Sequence, residues 1–310
     1  MLSVVFAPKF LVLYLFIASA TYIHLRGKVR HTVWRQLTDH STFLAPLNTL
    51  IALSSSVPVR PMVDVERFPE LAPLRIQWEM IRDEALALND AGQIRPSEKY
   101  NDVAFNTFFR RGWKRFYLKW YGDPLPSAQA LCPKTVELVQ SIPTINAALF
   151  TLLPPGARLG DHRDPFAGSL RFHLGLVTPN DDACRIYIDG TPYSWRDGEA
   201  VMFDETFIHS AINETDKTRI ILFCDIARPI NNPIVRAITR FVTLYVVRIT
   251  ATQNVDTEQV GAINRVSGAI YAMKRFFERA KKANRRLYYL AKYILFAGVI
   301  YLIFIAGFRR

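Results

Sequence analysis

Two histidines and an aspartate in the middle of the chain have the residue types and the spacing of a metal site. His162 and Asp164 form an H-x-D pair, and His209 follows much later. Two imidazoles and one carboxylate are the ligand set of non-haem Fe(II) oxygenases, in which the open metal positions take a co-substrate and O₂. Because polar loops also produce H-x-D by chance, the triplet alone is a weak motif, and the neighbouring residues decide its interpretation.

The segment from Ser169 to Val177, shortly after the H-x-D pair, predicts a β-strand with one polar face. Its residues alternate, so that Ser169 and Gly175 would share a face with Arg171 and His173, while leucine and phenylalanine occupy the other face. One interpretation is a solvated surface strand. The other is a pocket wall, because the small residues Ser169 and Gly175 leave room for a ligand.

An arginine begins the most apolar of the predicted strands. His209 lies in a second alternating run, and the strand that follows it, from Thr218 to Ile226, is almost continuously apolar. Arg219 near its start is unusual, because a buried arginine needs an anionic partner. Its planar guanidinium suits a carboxylate held by two hydrogen bonds. Arg219 therefore either binds an acidic ligand or pairs at the surface with Glu214 or Asp216.

The stretch from Phe150 to Pro229 resembles the aspartyl/asparaginyl β-hydroxylase family of Fe(II)- and 2-oxoglutarate-dependent oxygenases. The matching pieces are Pro155-Gly156, His162, the run from Leu170 to Leu176, Cys184-Arg185-Ile186, Trp195, Gly198-Glu199, Phe203-Asp204-Glu205, Phe207-Ile208-His209, and Arg219 through Asp225. Together they form a highly specific pattern.

The resemblance implies a role for each polar residue of the pattern. It implies that His162 and His209 hold the iron. The residues that it assigns to 2-oxoglutarate are Arg171, His173 and Arg219, with a hydroxyl contact from Thr151. The peptide-hydroxylating members have glycine where this chain has Asp164, and so lack a carboxylate ligand. Asp164 agrees instead with the bacterial branch that hydroxylates lipid A, which the whole chain resembles, and we expect it to be the third iron ligand.

Apolar runs at both ends of the chain predict two membrane anchors. The runs extend from Phe10 to Leu25 and from Tyr293 to Phe308, and basic residues flank each run on its inner side. Because positively charged flanks stay in the cytoplasm, both anchors would leave the termini outside and the central part of the chain inside. The first run is alternatively a signal peptide, since Ala18-Ser19-Ala20 resembles a cleavage site. Both runs are short for a span, so helices lying at the membrane interface are a further alternative.

The stretch from 233 to 287 is basic and amphipathic, which fits helices at an anionic membrane surface. Ordinary helices that cover the barrel are the alternative. A net charge of +12 also fits a nucleic-acid partner, but much of the charge flanks apolar runs and the chain contains no nucleic-acid-binding motif, so we predict no nucleic-acid binding. The three cysteines form no paired framework and indicate a reducing compartment.

The predicted fold is mainly β with flanking helices: a double-stranded β-helix (jelly roll) plus N- and C-terminal transmembrane helices. The predicted segments are an N-terminal membrane anchor at 1–26, a mixed helical and loop lead-in that packs on the barrel at 27–146, the catalytic β-helix at 147–229, basic amphipathic helices at the membrane surface at 230–286, and a C-terminal membrane anchor at 287–310. Within the lead-in we expect helices from Leu74 to Leu88 and from Phe105 to Tyr121.

By resemblance, the expected function is hydroxylation of a lipid A acyl chain at C2, with Fe(II), O₂ and 2-oxoglutarate, at the cytoplasmic face of a bacterial inner membrane. A membrane-anchored peptide aspartyl/asparaginyl β-hydroxylase is the alternative enzyme, and a non-catalytic membrane scaffold is the alternative from another class. Turnover of 2-oxoglutarate would separate an enzyme from a scaffold. The sequence leaves the oligomeric state and the choice of acyl chain open.

Overall fold

The computed structural model describes residues 8–97, 102 and 105–304. Over these residues the strands form two antiparallel sheets. The strands are β1 (Met62–Val63), β2 (Lys114–Trp120), β3 (Ile145–Leu153), β4 (Arg158–His162), β5 (Ser169–Val177), β6 (Cys184–Ile188), β7 (Thr191–Ser194), β8 (Ala200–Phe203), β9 (His209–Asn213) and β10 (Arg219–Ala227).

The connections between the two sheets define a double-stranded β-helix. One sheet has the order β1-β8-β5-β10-β3-β2 and the other the order β4-β9-β6-β7. The chain therefore crosses from one sheet to the other after β3, β4, β5, β7, β8 and β9. Two sheets wound in this way face each other and enclose a pocket between them. The jelly-roll prediction is confirmed.

Helices precede, cover and follow the β-helix. They are α1 (Pro8–Leu25), α2 (Val33–Thr38), α3 (His40–Phe43), α4 (Ala45–Leu53), α5 (Ala72–Ile76), α6 (Trp78–Asp90), α7 (Asn106–Phe109), α8 (Pro126–Leu131), α9 (Pro133–Gln140), α10 (Pro233–Val242), α11 (Ala262–Ala283) and α12 (Arg285–Phe304).

The larger sheet is buried on both faces at its centre. β3, β5 and β10 are buried along almost their whole length, because α6 packs on β5 and α9 packs on β3 from outside while the other sheet covers the inner face. This explains why β10 is almost continuously apolar. A polar residue on these strands therefore points into the interior and needs a partner there.

Residues 105–121 differ from the sequence prediction. Only Asn106–Phe109 is helical, and Gly112 follows with a φ of +85°. Lys114–Trp120 then forms β2, which pairs with β3 at the edge of the larger sheet. The helix prediction was wrong because a short apolar run fits both periodicities, and pairing with β3 decided between them. The expected helix from Leu74 to Leu88 is present as α5 and α6.

No helix in the described ranges is long and apolar enough to cross a membrane, so the predicted transmembrane helices are not supported. α1 has 18 residues, which rise about 27 Å, less than the roughly 30 Å of a hydrocarbon core. α12 begins with Arg285 and Arg286 and also contains Lys292. Residues 1–7 and 305–310 of the two predicted anchors lie outside the described residues.

The loop that follows α1 is bound to the β-helix. Arg26 donates a hydrogen bond to the carbonyl oxygen of Thr206 (2.8 Å). The backbone amides of Lys28 and Val29 donate to the two carboxylate oxygens of Asp189, at 2.9 Å each. α1 also packs on α3 and α4. The N-terminal helices are therefore held at a fixed place on the barrel.

Candidate functional site

The three residues predicted to bind metal lie together where β4 and β9 meet. His162 and His209 are register partners in this strand pair, and their ring centroids lie 4.1 Å apart. Asp164 follows in the loop after β4, and its Oδ1 lies 3.9 Å from His162 Nε2 and 4.0 Å from His209 Nε2. One ligand atom from each of the three residues lies within 4.8 Å of the others.

Hydrogen bonds to the backbone orient both imidazole rings. His162 Nδ1 lies 2.8 Å from the Gly160 carbonyl oxygen, and His209 Nδ1 lies 3.0 Å from that of Phe207. A proton on each Nδ1 leaves both Nε2 lone pairs directed at Asp164. Burial lowers the pKa of His162, and burial together with the neighbouring imidazole of His162 lowers the pKa of His209 to about 3. Both rings are thus neutral at physiological pH, which is the form that binds a metal.

Asp164 is ionised and held by Arg171. Burial alone would raise the pKa of Asp164, but the positive charge of Arg171 and its hydrogen bond outweigh burial and hold that pKa well below its usual range. Arg171 Nη2 donates to Asp164 Oδ2 at 2.7 Å. The donor set of two neutral imidazoles and one carboxylate fits a divalent transition metal such as Fe(II).

A second polar cluster lies on β3, β5 and β10, deeper in the same pocket. Arg219 Nη2 donates to Thr151 Oγ1 at 3.3 Å, and the guanidinium carbon lies 4.4 Å from the centre of the Trp195 ring. Burial lowers the pKa of Arg219 to about 10, so it still carries its charge at neutral pH. Among the described residues, no carboxylate lies within ion-pair distance of Arg219.

Several buried nitrogens around Arg219 have no hydrogen-bond partner in the described part of the chain. They are Arg219 Nε, Trp195 Nε1 and both ring nitrogens of His173. Buried donors without partners are rare in folded proteins and mark places where a ligand or water is expected. A buried cation surrounded by unused donors is suited to an anionic group such as a carboxylate.

Both clusters open into one pocket with an aromatic wall. Of the seven sequence-predicted residues, six line it, namely Thr151, His162, Arg171, His173, His209 and Arg219. Asp164 lies beside it against Arg171. The wall next to the histidines consists of Phe105, Phe108 and Trp113, with Phe108 4.8 Å from the ring centre of His162.

The structure adds Asp225 and Glu205, to which sequence reasoning gave no individual role, and it connects Asp225 to Tyr121. Arg171 Nε donates to Asp225 Oδ1 at 2.8 Å, and Tyr121 donates its hydroxyl proton to Asp225 Oδ2 at 2.8 Å. Arg171 also forms an ion pair with Glu205. An acidic residue inside an apolar strand was the available signal for Asp225, of the same kind as the one that singled out Arg219.

One expectation about the pocket is wrong. Gly175 was expected to leave room for a ligand, but the loop before β8 fills that space. A Cβ at Gly175 would lie 2.0 Å from the carbonyl oxygen of Arg196. The Gly175 amide donates to the Glu199 carbonyl, and its own carbonyl accepts from the Gly198 amide, both at 2.9 Å. Gly175 is therefore needed for backbone packing.

Comparisons with known proteins agree with this geometry. A family model described as aspartyl/asparaginyl beta-hydroxylase matches residues 75–229, which is half of the chain. The ornithine lipid ester-linked acyl 2-hydroxylase of Rhizobium tropici is 35% identical over 181 residues, which are 56% of this chain and 62% of that protein. Human aspartate beta-hydroxylase domain-containing protein 2 is 32% identical over 126 residues, 38% of this chain and 34% of that one. The human aspartyl/asparaginyl beta-hydroxylase is 28% identical over 163 residues, 50% of this chain and 21% of that one.

The chain therefore matches less than two thirds of the length of each of these relatives. Among solved structures, a prolyl-4-hydroxylase of Pseudomonas putida aligns with a TM-score of 0.33 and 19% identity, over 50% of this chain and 87% of that one. A likeness this distant adds nothing to the strand topology described above.

Proposed function

Since the chain belongs to the aspartyl/asparaginyl β-hydroxylase family, we propose that it is an Fe(II)- and 2-oxoglutarate-dependent hydroxylase that acts at C2 of an acyl chain of lipid A. One observation carries the proposal. A single pocket has a His-Asp-His cluster at one end and a buried, uncompensated arginine at the other. A dicarboxylate that chelates a metal while it places its distal carboxylate on an arginine fits this arrangement.

The polar residues divide the binding task between them. His162, Asp164 and His209 would hold the iron, and Arg219 with Thr151 and His173 would hold the co-substrate. Bound Fe(II), together with O₂ and 2-oxoglutarate, supplies the oxidising power that hydroxylation of an unactivated C–H bond requires. Arg171, which the resemblance also assigns to the co-substrate, lies between the two ends with its guanidinium on carboxylates.

The aromatic wall is suited to an apolar substrate. Phe105, Phe108 and Trp113 face the pocket beside His162. An acyl chain lying against these rings would exclude water from the reacting carbon and would be held close to the metal position. Placement of this kind is the main contribution that a protein makes to a cofactor-driven reaction.

Exposed apolar residues outside the pocket support a membrane-bound substrate. On α10, Val235 and Thr239 face the protein, whereas Ile234, Ile238 and Phe241 form an exposed stripe. Their spacing of i, i+4 and i+7 places them on one side of the helix. A surface helix of a water-soluble protein has the opposite arrangement, so this stripe favours contact with a lipid surface.

The loop that carries Asp164, one of the three proposed metal ligands, rests on helices that also expose apolar side chains. His40 Nε2 lies 2.8 Å from the carbonyl oxygen of Arg163. The Asn48 side chain donates to the carbonyl of Pro165 and accepts from the amide of Ala167, both at 2.9 Å. The same group of helices, α2 to α4, exposes Val33, Trp34, Leu37, Phe43 and Leu53. A membrane surface against these helices would lie close to the metal centre.

We also propose that this membrane is the inner membrane of a Gram-negative cell and that the β-helix lies in the cytoplasm, where reduced iron and 2-oxoglutarate are supplied. Exposed basic residues next to the apolar ones, such as Arg30, Arg35 and Arg240, fit an anionic cytoplasmic leaflet.

A phosphatase reporter that is active only in the periplasm, fused after Arg35, should be silent. Strong periplasmic activity would contradict the location.

The ester-linked acyl chain of an ornithine lipid is a second candidate substrate. The 35% identity to the Rhizobium tropici enzyme favours it. Both candidates share the chemistry of the reacting group, which is a methylene next to an acyl carbonyl. A peptide substrate, as in the peptide-hydroxylating relatives, remains the alternative from another substrate class.

Mass spectrometry of lipids separates these candidates. The full chain is expressed in a Gram-negative host that makes both lipids without hydroxylating them, and His209→Ala serves as the inactive control. We expect lipid A species that gain one oxygen on an acyl chain, with the wild-type protein only. Oxygen gained on the ornithine lipid instead would select the second candidate. Unchanged lipids from cells whose purified enzyme turns over 2-oxoglutarate with a peptide would contradict a lipid substrate.

A further inference from the structure

The two buried arginines of the pocket have opposite surroundings. Arg219 is bound to a hydroxyl group and an indole ring, with no carboxylate among the described residues within ion-pair distance. Arg171 contacts three carboxylates at once, those of Asp164, Glu205 and Asp225. A ligand carboxylate that enters the pocket thus meets one arginine that is free to bind it and one whose charge is already neutralised.

Hydrogen bonds, ion pairs and a ring contact already engage two of the three guanidinium nitrogens of Arg171 and one of its faces. Its Nε donates to Asp225 Oδ1 at 2.8 Å, and its Nη2 contacts both Asp164 and Glu205. One face of the guanidinium lies on the Phe223 ring, 3.8 Å from the ring centre. Within the described part of the chain, Nη1 is the nitrogen that is left for another partner.

Asp164 directs its two oxygens to different partners. Oδ2 accepts from Arg171 at 2.7 Å, while Oδ1 is the atom that lies 3.9 and 4.0 Å from the two histidine Nε2 atoms. The Asp164 amide donates to the Glu205 carbonyl at 2.9 Å, which fixes the loop backbone. The contact with Arg171 therefore selects which oxygen, in which direction, is offered to a metal.

Residues of the barrel fix Arg171 in turn. Tyr121, which is buried, donates to Asp225 Oδ2 at 2.8 Å, so Asp225 has one oxygen on Tyr121 and the other on Arg171. Ser169 donates to Glu205 Oε1 at 2.7 Å and thereby holds the remaining carboxylate. The chain of contacts runs from Tyr121 through Asp225 and Arg171 to Asp164.

We propose that Tyr121, Asp225 and Arg171 are positioning residues that orient the Asp164 carboxylate for the metal. The proposal rests on the metal site of the proposed function. Partners that orient a metal ligand commonly change metal affinity by about 10- to 100-fold when they are removed.

Calorimetric titration of the full chain in detergent tests the assignment, with Co(II) as a redox-stable probe for the metal and 2-oxoglutarate titrated into the Co(II)-loaded protein. Tyr121→Phe and Asp225→Asn keep Arg171 and change only its anchor. We expect each to weaken Co(II) binding by about tenfold or more and to leave the 2-oxoglutarate affinity within about twofold once Co(II) is saturating. Arg219→Lys is the matched control and should show the reverse pattern.

The pair Asp164 and Asp225 supplies a second test that does not depend on the size of the effect. In an Asp164→Ala background, Asp225→Asn should cause no further loss of Co(II) affinity, because the group that it positions is gone. Circular dichroism of each variant checks that the fold is retained.

Wild-type protein that fails to bind Co(II) would overturn the metal site and this assignment together. If Asp225→Asn binds Co(II) as tightly as the wild-type protein does, the positioning assignment is wrong, whereas the metal site stands. An Asp225→Asn protein that loses 2-oxoglutarate affinity and keeps its Co(II) affinity would also contradict the assignment, since Arg171 would then act on the co-substrate.

Discussion

At the residue scale, the most informative side chain is Arg219. Burying a charged group without a counter-ion is unfavourable by several kcal/mol, and the described residues around Arg219 provide a hydroxyl group and an indole ring in place of an acid. An incoming carboxylate would relieve this cost. The structure thus favours the first of the two alternatives that the sequence left open, because Arg219 lies far from solvent with only a small exposed fraction (3%).

Replacing Arg219 with lysine tests this role. Arg219→Lys keeps a positive charge but loses the planar fork that binds a carboxylate through two hydrogen bonds. We expect the apparent KM for 2-oxoglutarate to rise about tenfold or more, since hydrogen bonds to charged groups contribute about 1.5–3 kcal/mol. Arg158→Lys is the control, because Arg158 is exposed and pairs only loosely with Glu214. An unchanged KM for Arg219→Lys would remove Arg219 from the co-substrate pocket.

Gly175 is a second single residue with a predicted effect, in this case on the thermal stability of the fold. A methyl group at this position would lie 2.0 Å from the Arg196 carbonyl oxygen, and overpacking of this kind is unfavourable by about 1–3 kcal/mol. Gly175→Ala should therefore lower the Tm in thermal unfolding followed by circular dichroism. Gly298→Ala should not, because no heavy atom lies within 4 Å of a Cβ there. Equal Tm values for Gly175→Ala and wild type would show that the loop before β8 moves away freely.

At the scale of elements, α10 has its apolar stripe on the solvent side. Its buried side is narrow, with Val235 and Thr239 against the protein, and Phe241 continues into the next turn through a ring contact with Tyr245 at 5.0 Å. A helix that buries so little gains little from tertiary packing. Insertion of the stripe at a membrane interface would remove its apolar area from water. This would explain why the exposed face of α10 is apolar.

Polar substitutions in this stripe test the interaction. The double variant Ile238→Ser with Phe241→Ser should lose most of its binding to phosphatidylglycerol vesicles in a flotation assay, because two large apolar groups no longer enter the interface. Ile76→Ser on α5 is the control, since Ile76 is also highly exposed but belongs to a helix that packs on α9. Equal loss for both proteins would mean that exposed apolar area in general, and not α10, determines binding.

At the scale of the whole molecule, the N-terminal helices and the β-helix form one unit. Asp189 binds the amides of Lys28 and Val29 at one end of the connection, and Asn48 binds the loop that carries Asp164 at the other end. The helices that expose apolar residues therefore also support the metal centre. A change in their attachment should affect both stability and catalysis.

Asp189→Asn probes this attachment with little change in shape. Asp189 has a φ of 49°, which asparagine tolerates well, but the amide nitrogen of asparagine cannot accept from a backbone N–H. One of the two amides is left without a partner, so the free energy of unfolding should fall by about 1–3 kcal/mol in chemical denaturation. Asp182→Asn, on an exposed carboxylate paired with Arg196, should change it by less than about 0.5 kcal/mol. Similar losses for both variants would contradict a specific role for Asp189.

The sequence by itself predicted the central strands, and the family resemblance of its motifs predicted the β-helix and the polar residues that line the pocket. Alternation along β5 and the apolar run of β10 identified the central strands, because the side-chain period of a strand is visible without a partner. Arg219 also stood out locally, because a buried arginine needs an anionic partner. The H-x-D pair and His209 were weak signals by themselves, since polar loops produce such pairs by chance, and the family resemblance gave them their role.

Only the tertiary structure decided what each polar residue contacts. The sequence treated Arg171 and Arg219 alike, and the difference between them arises because Asp164, Glu205 and Asp225 come from three separate places in the chain and meet at Arg171. Gly175 was interpreted as open space because the loop that fills it lies about 20 residues further along. β2 was mistaken for a helix because its pairing with β3 is a long-range contact. Local patterns record propensity and burial, whereas partners are set by the register and crossing of strands that are distant in sequence.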